Sequence, residues 1–169
     1  SYGSSDDSPY QAYSAFAGNP YLISLDALVE EGVLTREECD GVSFGETAAK
    51  VDFDQLHEHR FALLRKAYER SGISANPDYQ NFVRDNGWWL NDYALFMALK
   101  TFFHDQPFRA WPEDIRMHWG FALEHYNREL YFDIEFQKYM QFKFNQQWSR
   151  LKAYANGKHI QIVGDIPIY

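Results

Sequence analysis

The run from His159 to Tyr169 is the feature that most constrains the fold of this chain. Its apolar, partly β-branched centre from Ile160 to Val163 is typical of a buried strand, and Gly164 and Asp165 follow directly. A carboxylate just beyond the carboxyl end of a strand has the position of an active-site residue in a parallel α/β barrel. A single parallel strand leaves its backbone N–H and C=O groups unpaired on both sides, so it needs neighbouring strands. We therefore expect the chain to be a piece of a larger enzyme.

Composition excludes several classes of protein. Aromatic residues make up 18% of the 169 residues, more than a minimal core requires, and their rings can stack on flat ligands such as sugars or bases. The formal net charge of −8 argues against a protein that binds the phosphates of nucleic acids. Cys39 is the only cysteine, which excludes an intrachain disulfide and favours a reduced, intracellular protein. Because no apolar run approaches the roughly 20 residues of a membrane span, and the first residues do not resemble a signal peptide, we predict a cytoplasmic protein that binds no membrane.

The first 23 residues predict an ordered loop. They combine Gly, Ser, Asp and Pro with five aromatic residues: Tyr2, Tyr10, Tyr13, Phe16 and Tyr21. Rings of this kind need packing partners, which a flexible linker does not supply. Most of them are expected to fix the loop to its scaffold, whereas Tyr10, which follows Ser8 and Pro9, is expected to face a ligand.

Helical signals fill the middle of the chain. Four polar residues are placed to cap helices: Ser24, Thr35, Asp52 and Asn76. Trp89, Tyr93 and Phe96 share a spacing that predicts one buried aromatic face. The run from Glu113 to Ala155 predicts two helices or one long bent helix, and its second half is apolar on more than one side, which indicates contacts in more than one direction.

Few residues have a pattern that predicts chemistry. The six histidines lack the spacing of a metal site. Cys39 lies among acidic residues, which would raise the pKa of its thiol and argues against a nucleophile. Among the carboxylates, only Asp165 combines an apolar approach with a strand-end position. Glycoside chemistry requires a second carboxylate at a defined distance, and the sequence offers no comparably placed partner.

Two motifs resemble signatures of one enzyme family. The run from Asp7 to Gln11, continued from Ser14 to Pro20, closely resembles the DSPYQSFSAFAGNP signature of bacterial 4-α-glucanotransferases, also called amylomaltases or disproportionating enzymes, of glycoside hydrolase family 77. The run from Gly164 to Tyr169 resembles the first six residues of the family's GDIPIYVA signature. Three further segments are similar to family segments: 88–100, 111–112 and 147–156. The resemblance covers essentially the whole chain.

The resemblance implies a fragment of a (β/α)₈ TIM-barrel glycosidase, in which this chain is predominantly α-helical with one clear C-terminal barrel strand. Such an enzyme holds a glycosyl unit covalently on an aspartate and then passes it to another sugar, a retaining double displacement. Two barrel strands would precede Ser1, and the nucleophile and acid/base would follow Tyr169, so the isolated chain is expected to be inactive. The implied division is a substrate-binding barrel loop at 1–23, a helical insertion subdomain at 24–130, and a helix and strand of the truncated barrel at 131–169.

The same resemblance assigns glucan-binding roles to four residues and places no catalytic residue in this chain. Tyr10 is expected to stack on the sugar at the cleavage point, with Ser8 on the same loop. Asp165 is expected to shape the catalytic site without being the nucleophile. Tyr2 is expected to bind glucan away from the cleavage point, although residues 4–6 are inserted here relative to the family pattern. The implied partners are α-1,4-glucans, maltooligosaccharides and the remaining barrel segments of the parent enzyme, with no cofactor or metal ion.

The residues themselves leave a second function open. A helical carbohydrate-binding or protein-interaction module without catalytic ancestry would share the aromatic content and the negative charge. The two hypotheses differ in the activity expected of the isolated chain and in whether the parent protein contains catalytic carboxylates.

Overall fold

The computed structural model describes residues 12–43 and 52–164. Over these residues the chain folds into seven α-helices: Leu25–Glu30 (α1), Arg36–Asp40 (α2), Phe53–Ser71 (α3), Pro77–Phe102 (α4), Glu113–Arg116 (α5), Gly120–Glu129 (α6) and Tyr131–Gly157 (α7). Three 3-10 turns complete the regular structure of these residues: Pro20–Leu22, Ile73–Ala75 and Phe108–Ala110.

Helices α1 to α4 begin at the capping residues that the sequence predicts, whereas α5, α6 and α7 have no side-chain cap among the described residues. The side chain of Ser24 accepts a backbone N–H of the first turn of α1 at 3.2 Å, and that of Asn76 accepts two N–H groups of α4. Thr35 and Glu38 form a reciprocal capping box at the start of α2. Gly72 ends α3 in the left-handed region at φ 55°, a conformation that glycine adopts without a steric cost. Local side-chain to backbone bonds therefore set these boundaries.

Residues 113–155 form three helices, whereas the sequence predicts two helices or one long bent helix. The short helix α5 ends before His118, whose φ of 53° turns the backbone out of the helix. Leu130, at φ −102° and ψ 19°, separates α6 from α7. The apolar spacing continues across both breaks, because Ile115 and Ile134 face the same buried cluster. The spacing therefore did not reveal the breaks.

The longest helix, α7, is the element on which much of the described chain packs. It contacts α3, α4, α6 and the turn at Pro20. Tyr139 of α7 lies against α3, with its ring centroid 5.4 Å from that of Tyr68. Phe142 lies against α4, at 5.5 Å from the ring of Tyr79. The predicted contact of this region on more than one side is confirmed.

Buried apolar side chains of the described residues form two clusters. The first joins α1, α3 and the middle of α7, and includes Ile23, Leu28, Leu63, Leu64, Tyr139 and Met140. The second joins α4, α5, α6 and the start of α7, and includes Ala94, Leu95, Leu99, Trp111, Ile115 and Ile134. Tyr79 of α4 belongs to the first cluster, so both long helices take part in both clusters. The pair α4 and α7 therefore connects the two halves of the core.

The prediction of a C-terminal strand is wrong. Residues 160–164 form neither helix nor strand, and the described ranges contain no β-sheet. Ile160 is half-exposed and Val163 is 90% exposed, which is the opposite of a buried strand. A β-branched run favours extended backbone, but a strand also needs a neighbouring strand to pair its N–H and C=O groups, and no such neighbour lies within the described residues. The predicted fold class, a barrel fragment with one barrel strand, is corrected accordingly: what is observed is a helical assembly.

The length and polarity of a helix decide whether it could cross a membrane. Among the described residues, no helix is both long and apolar enough to cross a bilayer.

Candidate functional site

All four sequence-predicted binding residues lie outside the described residues. Tyr2, Ser8 and Tyr10 precede residue 12, and Asp165 follows residue 164. Their roles stay predictions. The structure does describe the chain that directly follows the first three, and we call residues 12–24 the anchored segment.

The anchored segment is held to α7 by Gln141. The backbone N–H of Gly18 donates to Gln141 Oε1 at 2.8 Å, and Gln141 Nε2 donates to the Gly18 carbonyl at 3.1 Å. The amide thus pairs with both polar groups of one peptide position, as a neighbouring strand would. At 2% exposure the glutamine is shielded from water, which makes these bonds costly to lose.

Gly18 also packs directly on the ring of Phe144 in α7. A Cβ atom at this position would lie 2.0 Å from Phe144 Cδ1, far inside van der Waals contact. Since even a methyl group does not fit, glycine is what allows the backbone to approach the helix so closely.

A second glutamine, Gln147, repeats the arrangement six positions along the chain. The N–H of Ser24 donates to Gln147 Oε1 at 2.7 Å, and Gln147 Nε2 donates to the Ser24 carbonyl at 3.3 Å. This pair is exposed, so water competes for its groups. Beside it opens an apolar groove of about 450 Å³, lined by Leu22, Ser24, Phe144, Gln147, Trp148 and Leu151. Residues 18–24 of the anchored segment are therefore held to α7 by one amide pair at Gly18 and another at Ser24.

Aromatic contacts tie the start of the anchored segment to α4. The Phe16 ring meets the edge of Trp88 with a centroid distance of 4.7 Å and lies 6.2 Å from that of Trp89. Tyr13 packs on Phe96 at 5.6 Å. Phe16 and Trp88 are 59% and 68% exposed, so their rings also present apolar faces on which a sugar could stack. The contacts of Tyr13 with Phe96 and of Phe16 with Trp88 confirm the prediction that rings of this loop fix it to its scaffold.

Several ionisable side chains in the described ranges pair with one another, among them Arg65 with Asp133 and Lys143 with Glu31. No cluster of three His, Cys, Asp or Glu side chains in these ranges has the geometry of a metal site. Burial raises the pKa of the Cys39 thiol, with the charge of Asp40 acting in the same direction and that of Arg36 against it. The predicted direction is confirmed, but burial and not acidic neighbours is the larger cause. The thiol is therefore a poor nucleophile at neutral pH.

Sequence reasoning missed Gln141, Gln147 and the special role of Gly18. A signal for Gln141 was present, because its polar amide stands between the apolar residues Met140 and Phe142. A buried polar side chain in such a position needs a partner, but the sequence does not say which one.

Comparison with known proteins identifies relatives along the whole chain. A family model described as 4-alpha-glucanotransferase matches residues 2–169. The 4-alpha-glucanotransferase of Clostridium butyricum is 41% identical over 169 residues, covering 100% of this chain and 34% of that protein. That of Streptococcus pneumoniae is 44% identical over 171 residues, covering 100% of this chain and 33% of that protein. The chain thus spans about a third of the length of these curated relatives.

A solved structure has the same arrangement. The amylomaltase from Streptococcus agalactiae, solved in complex with acarbose, superposes with a TM-score of 0.92 at 37% sequence identity. The superposition covers 99% of this chain and 34% of that one.

Proposed function

Because the chain belongs to the 4-alpha-glucanotransferase family, we propose that it forms part of an enzyme that transfers α-1,4-glucan segments between maltooligosaccharides. The observation that carries this proposal is the family match over residues 2–169, at 41% and 44% identity to relatives of that name. The reaction proposed is a retaining double displacement, in which one carboxylate takes the glycosyl unit and a second acts as acid and then as base.

Within that enzyme, this chain contributes glucan binding and not the bond-breaking carboxylates. Tyr10 stacks on the sugar at the cleavage point, Ser8 lies on the same loop, Asp165 shapes the site, and Tyr2 binds glucan farther away. Support for the first two comes from the resemblance of their motif and from the firm anchoring of the residues that follow, at Gly18 and beyond. Pre-ordering a binding loop lowers the entropy lost when a ligand binds.

The division into residues 1–23, 24–130 and 131–169 is proposed as a division of roles. The first part binds glucan, the second is a helical subdomain, and the third connects to the rest of the enzyme. Because α4 and α7 pack together across the second boundary, the parts share one core and are not separate folding units.

The remaining segments of the parent protein are the proposed macromolecular partner. The groove beside Ser24 exposes Leu22 and Leu151, at 70% and 54%, and Trp148 lines it too. Large exposed apolar surfaces are uncommon on free monomers. We propose that other segments of the parent protein cover this groove.

We also propose that the enzyme works in the cytoplasm. The single cysteine of the chain supports this compartment.

The test is a disproportionation assay on the full-length protein. Incubation with maltotriose is expected to yield glucose together with maltooligosaccharides longer than the substrate, and acarbose is expected to inhibit. Release of glucose and maltose without longer products would indicate hydrolysis and contradict the transfer activity. The isolated 169-residue chain, assayed in parallel, is expected to convert no maltotriose.

One observation favours a second candidate, a non-catalytic carbohydrate-binding module. The exposed rings of Phe16 and Trp88 could bind a sugar without any carboxylate chemistry. Maltoheptaose binding by the full-length protein, with no conversion of maltotriose, would favour this candidate over the enzyme.

A further inference from the structure

Gln141 is a buried polar side chain that is not among the predicted binding residues, although its bonds anchor the segment that follows them. It lies between Met140 and Phe142 on the apolar middle of α7. Burying an amide costs free energy unless both of its ends are hydrogen-bonded. Here both ends are bonded, and the partner is Gly18, 123 positions earlier in the chain. Its bonds therefore hold a distant segment and do not serve its own helix.

The contact restrains Gly18 in two directions. The two hydrogen bonds oppose movement away from α7, and the ring of Phe144 blocks any closer approach. By contrast, Gln147 holds Ser24 at an exposed position, and Ser24 is independently engaged as the cap of α1. The two glutamines make the same bonds, but only Gln141 is itself buried, and the Gln147 pair is exposed.

Short-range contacts make the positions of the residues before Gly18 depend on the position of Gly18. Ser14 Oγ accepts the backbone N–H groups of Phe16 and Ala17, at 3.1 and 3.3 Å. The Phe16 ring then packs on Trp88 of α4. Residues 14–18 are thus tied to α7 through Gly18 and to α4 through Phe16.

We propose that Gln141 is a positioning residue of the predicted glucan-binding loop and acts through Gly18. It holds residues 14–18, which follow the predicted binding residues in the chain, in place before glucan arrives, so less ordering of this segment is needed on binding. This inference rests on the proposed function. Losing the contact is expected to weaken glucan binding more than the chemical step, because bond breaking depends on carboxylates elsewhere.

The test compares Gln141→Met with Gln80→Met in the full-length protein. Both variants remove a glutamine amide that bonds to the backbone and keep a similar side-chain volume, but Gln80 is exposed and donates only to the Ser74 carbonyl within α4 and the turn before it. Gln141→Met is expected to raise the KM for maltotriose about tenfold and to change kcat by no more than about twofold. Gln80→Met is expected to leave both constants within about twofold. Amide hydrogen exchange at residues 14–18 is expected to accelerate in the first variant and not in the second.

Each outcome supports or overturns the inference. Unchanged exchange at Gly18 in Gln141→Met contradicts the anchoring, whether or not the protein transfers glucan. Faster exchange with an unchanged KM contradicts the positioning role and leaves a purely structural one. If the wild type transfers no glucan, the proposed function fails. In that case the affinity for maltoheptaose, measured by calorimetric titration, is compared in place of the KM. Equal affinities of the wild type and the variant would then overturn the inference. Gln141→Asn, which keeps a neutral amide but is one methylene group shorter and so cannot reach Gly18 in the same geometry, replaces the Met variant if that variant does not fold.

Discussion

A single missing Cβ atom decides how close residues 12–24 can lie to α7. At Gly18 the backbone touches the ring of Phe144, and the Gln141 amide pairs with the same residue. Side-chain identity at these positions matters more than their hydrophobicity or charge. Two substitution pairs isolate such single-atom effects.

Gly18→Ala is expected to destabilise the protein by about 1–3 kcal/mol, because the added methyl group overlaps the Phe144 ring. Gly120→Ala at the start of α6 is the matched control, since nothing lies within 4 Å of its Cβ position. The control is expected to be neutral or stabilising by up to about 1 kcal/mol. Urea denaturation followed by tryptophan fluorescence measures both. Equal stabilities of the two variants would contradict the close approach at Gly18.

Two buried tyrosines are expected to respond differently to loss of the hydroxyl group. Tyr79 donates its O–H to Glu135 Oε2 at 3.0 Å, so Tyr79→Phe is expected to cost about 1 kcal/mol. The hydroxyl of Tyr139 has no hydrogen-bond partner within the described part of the chain, so Tyr139→Phe is expected to be neutral or stabilising. The same denaturation experiment compares them. A larger loss for Tyr139→Phe than for Tyr79→Phe would show that this hydroxyl is bonded in solution.

At the scale of elements, helix α2 depends on charge as well as on its cap. Glu38 closes the capping box with Thr35 and also pairs with Arg70 and Lys66 of α3. The hydrogen bond from Arg70, followed by those from Thr35 and Lys66, lowers the pKa of Glu38 to about 2. One carboxylate thus holds two helices together.

Glu38 is expected to make stability depend on pH in the acidic range. Because its folded pKa is below its unfolded value, the unfolded state binds more protons, and the stabilisation is present above about pH 4.5 and lost as the pH falls towards 2. Glu38→Gln should lower the melting temperature at pH 7 and flatten its pH dependence between about 4.5 and 2. Glu37→Gln, on the same turn, is the control and should keep the wild-type slope. Parallel slopes for wild type and Glu38→Gln would contradict the pairing.

At the scale of the molecule, α4 and α7 join two apolar clusters, and residues 160–164 lie outside them. The N–H of Ile160 still donates to the Ala155 carbonyl at 2.9 Å, closing the end of α7. Beyond it, residues 161–164 form no regular secondary structure and are exposed. Order should therefore fall sharply at this point in the chain.

In the isolated 169-residue chain, amide hydrogens at residues 161–164 are expected to exchange rapidly, whereas those in the middle of α7 are protected. The reason is that the former make no backbone hydrogen bond within the described residues and the latter are bonded and buried. Exchange mass spectrometry with peptide resolution measures the contrast. Strong protection of 161–164 in a demonstrated monomer would contradict the structure in this region.

Sequence alone determined the features that depend on near neighbours in the chain. Ser24, Thr35 and Asn76 predict where helices begin because a cap bonds to residues two or three positions away. The motifs from Asp7 to Gln11 and from Gly164 to Tyr169 indicated the family, and the comparisons confirm it. The proposed binding roles of Tyr2, Ser8, Tyr10 and Asp165 rest on those motifs and stay predictions.

Only the tertiary structure decided the features that depend on distant partners. The run from Ile160 to Val163 has strand propensity, but a strand forms only where another strand pairs with it, and local pattern carries no information about that partner. The bond between Gln141 and Gly18 spans 123 positions and depends on the packing of a loop against a helix. Propensity acts over a few residues, whereas hydrogen bonding and close packing act between whichever residues the fold brings together.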